Sequence, residues 1–597
     1  MVERAEMASG PGPTPFSGAS EAKPERCGTA QSPREWLKQF ERRKGRPLRV
    51  LHIGNIANNA YNNAKIQRQV GIAADVLNFG YYHTISCPEW EDAQHSGTFK
   101  DDMFPDWWAV DLKGYQRPRW FAQGPLDISI RYLLAWTASA PVTAFLWRWM
   151  TFERWLLCRR SWGQKLCYFG ILTCTRRAVH LGAPANALLM CRAGQVLGWL
   201  AEGTLLRKLA VARKLGFWSR YLRRHGRTAT GVFSAKRRTQ ALERLMRSHT
   251  AQVNELLSRH GREDRLEKLQ SFYDQWYHPY FWRLLKRYDV VQCYSTYTAM
   301  PFMIGYRPYL AYEHGTIRSI PFDETDEGRM CLVSYGAAEA VLITNFDTVP
   351  SADKMRIEPA RRVHLPHAFD DRKLIDFARA HPELKPPAGG VTRFIMPSRQ
   401  HWVDPHPTWA KGNDRVFEAL RIVRASSRRC MLQAIAWGRD VQASKSLIEK
   451  LDVGDMVVWS PMMPKHQLWS AYLRSHAVID QFVMKGFSGV IFEAMTLGCR
   501  VITAIDVPLA TEFFGEPPPL YNCGTSEEIA TAMIRVIDDA EDLGGDGLRN
   551  SAWSTRHHST KRIVDLQLEL YRRMLEGQKA IGIDHPRPVH TNSAAQS

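Results

Sequence analysis

No two cysteines in this chain stand in a C-x-x-C pair, and no histidine pair completes a zinc spacing around the densest group, Cys158, Cys167 and Cys174. Zinc-finger and ribbon sites are thereby excluded. The 11 cysteines, odd in number and scattered, read as reduced thiols of a cytoplasmic protein rather than a disulfide framework. A D-x-D triplet, the short acidic signature that seats a metal ion under a diphosphate, occurs nowhere. Helix-turn-helix and RNP patterns are also missing, which argues against a nucleic-acid partner. Residues 1–30 lack a charged-then-apolar signal pattern and are rich in Gly, Pro, Ser and Glu, so residues 1–46 are expected to form a largely disordered leader, with a short charged helix around 33–43. Acidic residues are in deficit: Lys and Arg number 80 against 60 Asp and Glu, a net charge of +20. Such an excess suits an anionic partner, whether nucleic acid, a membrane surface or a phosphorylated substrate, without choosing among them.

What the chain does contain is ample apolar material for more than one core, 45% hydrophobic over 597 residues. Residues 48–53 (LRVLHI) form a compact apolar run ending in Gly54-Asn55. A polar helical stretch, 62–72, and a second strand, 74–77, follow. Strand, glycine turn, helix and strand open a βαβ unit with a parallel sheet. That rhythm stops over residues 100–286, which read as a large helical insertion with long periodicity at 203–224 and 238–269. It returns at 290–295, 309–313, 340–344 and 363–365. The Pro- and Gly-containing stretch 380–390 (AHPELKPPAGG) marks a domain boundary. Further strands are expected at 393–396, 431–436, 456–459, 477–479 and 500–503. The fold class implied is α/β, with two doubly wound (Rossmann-like) domains facing a cleft: a first domain over 47–385 and a second over 391–556. A C-terminal helix over 557–580 and a polar tail over 581–597 complete the chain.

The most specific stretch is KGFSGVIFEAMTLG, residues 485–498. Small residues at Gly486, Ser488 and Gly489 lead into a helix whose first free N–H groups and positive dipole end suit a diphosphate. Glu493, one turn inside, can accept hydrogen bonds from two ribose hydroxyls; the plain alternative is an ordinary strand-loop-helix with a solvated Glu493. The stretch resembles the donor-binding motif of GT-B glycosyltransferases of the family 4 type, in which a Glu, seven residues and a second Glu flank a Gly-Phe-Gly turn. Glu493 falls on the second Glu, whereas Lys485 replaces the first, which in that family lies near the sugar. Arg399, after the strand 393–396, and Lys411, ahead of a helix, are similar to the family's diphosphate-binding pair, separated here by residues 400–410. Two fixed cations there would neutralise the leaving group. Trp437-Gly438 resembles the family's glycine turn, and residues 462–468 (MMPKHQL) its base-contacting loop.

In the first domain, His314 in YEHG resembles the family's histidine near the sugar and the reaction centre, with an implied positioning or polarising role. Gly54-Asn55 resembles the first-domain glycine loop, lacking the second glycine. The resemblance implies a retaining, metal-independent hexosyltransferase in which Arg399, Lys411 and His314 carry the reaction. Its nucleotide-sugar donor would be a co-substrate, without a cofactor, and its acceptor a glycan or a lipid-linked chain. Glu89, Glu91 and Asp92 (PEWED) could bind acceptor hydroxyls or form a solvated acidic loop. The uncharged stretch 132–147, rich in tryptophan and interrupted by Pro141, is short of the about 20 residues a bilayer span needs. It could lie at a membrane interface, pack as a buried helix or span. Interfacial placement would make the protein cytoplasmic and peripheral on the inner face of the cell membrane, against anionic lipid. Two other readings of the chain stand beside this one: a nucleotide-sugar epimerase or hydrolase on the same fold, and a non-catalytic basic protein on a degenerate transferase fold.

Overall fold

The computed structural model describes residues 32–80, 82–158, 249–265, 278, 280–387, 389–406, 409–540 and 544–578. Most of the leader, the helices expected at 203–224 and over most of 238–269, the Cys167 and Cys174 thiols and the tail 581–597 lie outside the described residues.

Two parallel sheets organise the chain. The first contains β1 (Arg49–Ile53), β2 (Ala73–Asn78), β3 (Phe121–Gln123), β4 (Val290–Tyr294), β5 (Leu310–Tyr312), β6 (Ala340–Ile343) and β7 (Arg362–His364), in the order β3-β2-β1-β4-β5-β6-β7. The second contains β8 (Thr392–Met396), β9 (Cys430–Ile435), β10 (Val457–Ser460), β11 (Ala477–Ile479), β12 (Val501–Thr503) and β13 (Tyr521–Asn522), in the order β10-β9-β8-β11-β12-β13. The runs that form β1, β4 and β6 are nearly continuous in apolar residues because parallel strands are covered on both faces. In each sheet the order reverses beside the first strand, between β1 and β4 and between β8 and β11. The loops leaving those strand ends therefore diverge and leave a crevice, the usual ligand position in such sheets.

The stretch 100–286 is not wholly a helical insertion. Residues 121–123 extend β2 as a parallel edge strand, with Val76 opposite Phe121. They are too few, and too close to Trp120 and Gly124, to give a periodic signal. The stretch 132–147 is divided between two helices, Leu126–Thr137 and Thr143–Cys158. Between them Ser139 adopts positive φ. Tyr132, Leu133, Trp147, Trp149 and Met150 are buried in the first domain's core, and the Trp136 indole donates to Asp75 at 3.1 Å. Those buried side chains fit the packed-helix alternative. No helix among the described residues is long and apolar enough to cross a membrane.

The short charged helix expected around 33–43 is observed at Pro33–Lys44. It opens with a reciprocal Ser32/Glu35 capping box and proline in its first turn, and closes on Gly45 at φ 64°. Its buried Trp36, Leu37 and Phe40 share a core with β1, β2 and the C-terminal helix Thr560–Leu575. That C-terminal helix returns from the second domain and meets a buried polar chain. Gln67 donates to Gln567 (2.9 Å) and to the Tyr571 hydroxyl (3.0 Å), which in turn donates to Gln292 on β4 at 3.0 Å. His52 lies between Tyr294 (2.9 Å) and Gln67 (3.0 Å), kept neutral by burial, which lowers its pKa to about 4. The two domains also share an aromatic seam: Phe346 of the first meets Phe487 at 5.4 Å, and Phe487 meets Phe492 and Trp553 of the second.

Because both partners of the Tyr571 hydroxyl are buried amides, Tyr571→Phe leaves each short of a bond and should destabilise the first domain by about 1–3 kcal/mol in urea unfolding. An unchanged midpoint would show that the C-terminal helix is held by its apolar face alone.

Candidate active site

The crevices of the two sheets face each other across one cavity of about 480 Å³. Of the residues singled out in the sequence, His314, Arg399, Lys411, Trp437, Ser488, Gly489, Glu493 and Glu91 line it. Gly54, Asn55, Glu89, Asp92, Gly438 and Lys485 do not.

The second domain contributes the charged floor. Lys411 closes the loop 400–410 and donates its ammonium to Gln481, directly after β11. The Gln481 amide also donates to the Gly486 carbonyl at 2.8 Å, so one side chain orients the lysine and pins the glycine loop. Burial lowers the Lys411 pKa to about 8; Asp480 opposes the shift, while Arg399 and Arg318 add to it. The cavity thus holds three mutually repelling cations in one field. Burial raises the Asp480 carboxyl pKa, against Lys411 and Ser488. The Ser488 hydroxyl donates to Asp480 and accepts from the Val490 and Ile491 amides at 3.2 and 3.4 Å. That cap starts the helix Gly489–Thr496 and leaves the Gly489 amide outside it, beside open space where a Cβ would meet nothing within 4 Å. The Trp437 indole donates to the Pro397 carbonyl at 2.9 Å, holding its ring beside Arg399. Gly438 turns under it against the Gln400 backbone and has a structural role instead.

Glu493 is engaged on both oxygens, by the Lys465 ammonium and by the Trp469 indole at 3.2 Å. Lys465 also faces Glu91 of the first domain at 3.9 Å. Burial works against its charge, but Glu493 and Glu91 more than offset this and raise its pKa. A ligand hydroxyl reaching Glu493 therefore has to share or displace Lys465. Lys485, at the position of the family's first Glu, is exposed and outside the cavity.

The first domain closes the site. Arg318 lines the cavity and pairs through two nitrogens with Asp347, at 2.5 and 2.9 Å. A Cβ on Gly486 would lie 2.5 Å from the Asp347 carboxylate, so only glycine permits this approach. Beside it, the Asn345 amide makes a two-bond clamp with the Phe487 backbone, donating to its carbonyl at 2.8 Å and accepting from its N–H at 3.0 Å. His314 is neutral: burial, reinforced by Arg318, lowers its pKa to about 3. Its Nδ1 lies 2.8 Å from the Asn59 amide nitrogen.

Gly54 and Asn55 serve the architecture. Gly54 has φ 86°, and a Cβ there would collide with the Tyr297 ring. Asn55 is buried, donates to Ser86 at 2.8 Å and accepts from the Tyr61 amide at 3.0 Å. The residues that follow, Ile56 to Asn59, are the ones that reach the cavity. Glu89 is locked in a buried bidentate pair with Arg117, at 2.8 and 2.5 Å. Asp92 is held by Tyr61, Lys65 and Lys373. Neither is left for an acceptor hydroxyl, and of the PEWED carboxylates only Glu91 faces the cavity.

Sequence reasoning missed Asn59, Arg318, Lys465 and Asp480. Asp480 had a legible signal, since it follows β11 at the strand end beside the switch point; the other three acquire meaning only from their partners in space.

Residues 407–544 match the family described as Glycosyl transferases group 1. No curated protein matches the chain. Among solved structures it is similar to sucrose-phosphate synthase from Thermosynechococcus elongatus, at 16% identity over 52% of this chain and 80% of that one, TM-score 0.39. It is similar also to Anabaena HepE in complex with UDP, at 16% identity over 49% of this chain and 80% of that one, TM-score 0.40. A third is a glycosyltransferase from Rickettsia africae, at 14% identity over 49% of this chain and 78% of that one, TM-score 0.37. Two parallel α/β domains thus face one cleft, and the segment that matches the group 1 glycosyltransferase family lies in the second.

Proposed function

We propose that the protein transfers a sugar from a nucleotide-sugar donor to a glycan or lipid-linked acceptor, with retention of configuration and without a required metal ion. The observation that carries this reading is the gathering of Arg399, Lys411 and Arg318 in one cavity with the start of the helix Gly489–Thr496. Three cations and a helix N-terminus suit a diphosphate far better than a neutral ligand. The family match of the surrounding domain supports the same donor class.

In this reading the bond between the anomeric carbon and the distal phosphate oxygen breaks. Arg399, Lys411 and the Gly489 amide stabilise the charge that grows on the diphosphate, acting in a partly dehydrated site where such interactions are strong. The acceptor hydroxyl attacks the anomeric carbon from the face the leaving group departs, and its proton passes to the departing phosphate oxygen. The lining carboxylates Glu91, Asp480 and Glu493 already have cationic or hydroxyl partners, so none is assigned as a nucleophile. Glu493 is assigned to the ribose hydroxyls and Trp437 to the nucleotide.

A nucleoside diphosphate chosen from a panel of UDP, GDP and ADP should raise the melting temperature without added metal, because a ligand of the folded state alone stabilises it in proportion to ln(1 + [L]/Kd). Arg399→Ala and Lys411→Ala should each weaken that binding about 10- to 100-fold, the range of one charge-assisted bond. Equal shifts in wild type and both variants would remove the assignment of these cations. A second consequence follows from the Lys411 ammonium, whose pKa is lowered to about 8 in the free site. A bound diphosphate favours the protonated form, so binding near pH 8.5 should take up a proton, and affinity should fall above about pH 8 by up to about tenfold per pH unit. Calorimetric titrations in two buffers of different ionisation enthalpy measure the uptake. Lys411→Arg should abolish it, whereas uptake surviving in that variant would place the titrating group elsewhere.

A further inference from the structure

Among the described residues, no hydrogen-bond donor meets the Glu91 carboxylate, and the cation it faces, the Lys465 ammonium, stands 3.9 Å away. The backbone around it is nevertheless fixed. Glu89 is paired with Arg117 and Asp92 with Lys65 and Lys373, and the Lys373 ammonium donates to the Glu91 carbonyl at 2.6 Å. The Glu91 side chain is only 15% exposed and lines the cavity. A carboxylate so placed gains from a ligand that brings N–H or O–H groups to it. Lys465 lies between two carboxylates: its ammonium donates to Glu493 and faces Glu91. Burial works against its charge, but those carboxylates more than offset this. The ammonium stands 6.0 Å from the Trp90 ring centroid, and Met462 packs against the cluster of Cys87, Trp90 and Trp107. The cavity walls here, Ile85, Trp90, Met462 and Met463, are apolar and suit the faces of a planar ring. Outward from Glu493, the polar groups run acceptor, donor, acceptor.

A nucleoside carries the complementary series along one edge. Its ribose 2′-hydroxyl donates, and O2 of a pyrimidine or N3 of a purine accepts. The next position differs among bases: an N–H in uracil (N3) and guanine (N2), a bare acceptor nitrogen in cytosine (N3), a C–H in adenine (C2). A carboxylate offers about four lone-pair sites, so Glu493 can take ribose hydroxyls while still holding Lys465. An ammonium only donates, so Lys465 meets an acceptor atom of the base. We infer that Lys465 and Glu91 read the nucleobase: Lys465 donates to pyrimidine O2 or purine N3, and Glu91 accepts the neighbouring N–H, selecting a uracil or guanine nucleotide over cytosine and adenine. The inference rests on the transferase reading and on Glu493 holding the ribose. It assigns Glu91 to the donor nucleotide instead of the acceptor glycan, so that both domains take part in recognising one base.

Calorimetric titration of the full chain with UDP, GDP, CDP and ADP, without added metal, tests this. The better of UDP and GDP should bind about 10- to 100-fold more tightly than CDP and ADP, the scale of one hydrogen bond to a charged group. An analogue of the preferred ligand that lacks the donated N–H, 3-methyl-UDP for uracil or IDP for guanine, should lose about 10-fold or more in the wild type, with no variant required. In Glu91→Gln the side chain can turn its NH2 group to the bare N3 of cytosine. CDP should then gain affinity, and the preference over it should shrink to within about threefold. Equal binding of the four nucleotides, undiminished binding of the analogue, or an unchanged preference in Glu91→Gln would overturn base reading by Glu91 and leave the transferase reading standing. Failure of all four nucleotides to bind would overturn both.

Discussion

A lysine ammonium buried at the end of a parallel sheet is expensive to keep charged, and the cleft is organised around that cost. Lys411 is held by Gln481, faced by Asp480 and pressed by Arg399 and Arg318. Each of those groups does a second task. Gln481 pins the Gly486 carbonyl, Asp480 anchors the Ser488 cap of the following helix, and Arg318 ties Asp347 against the glycine loop. The positive field at the floor and the geometry of the loop above it are thus one construction. Asp480 beside Lys411 and Asp347 beside Arg318 oppose that repulsion, and the clustered cations suit an anion.

The same loop is where the two domains meet. Asn345 grips the Phe487 backbone through two hydrogen bonds, and Phe346, Phe487 and Phe492 continue the contact as an aromatic seam. The first domain therefore touches the glycine loop of the second directly, and the distance between the charged floor and His314 depends on this seam. The C-terminal helix, docked on the first sheet through Tyr571 and Gln567, ties the domains a second time from behind.

Most strands were legible because a parallel strand covered on both faces is a short apolar run bounded by turns, as in the β1, β6 and β11 segments. β3 and β13 escaped notice because three and two residues at a sheet edge carry no period. In the cleft, residues at strand ends and helix starts were readable from position together with the family resemblance: Arg399 after β8, Lys411 before the helix Asn413–Ala425, Ser488 and Gly489 at a cap. The PEWED carboxylates misled because an acidic cluster looks the same in sequence whether it faces solvent or, like Glu89, is neutralised by an arginine 28 positions away. Gly54 and Asn55 lie one step short of the cavity, since a Gly-Asn turn serves equally well to seat a tyrosine ring and to approach a ligand. Asn59, Arg318 and Lys465 were silent for a different reason. Nothing in their neighbours along the chain announces two histidines, an aspartate loop or a pair of glutamates of which one belongs to the other domain.

The central claim is that one diphosphate is held jointly by Arg399, Lys411 and the start of the helix Gly489–Thr496. A crystal structure with the stabilising nucleoside diphosphate tests it most directly. Both phosphates should lie within hydrogen-bond distance of the Arg399 guanidinium, the Lys411 ammonium and the Gly489 amide, with the ribose near Glu493. Phosphate density bound elsewhere, with those three groups uncontacted, would contradict the account.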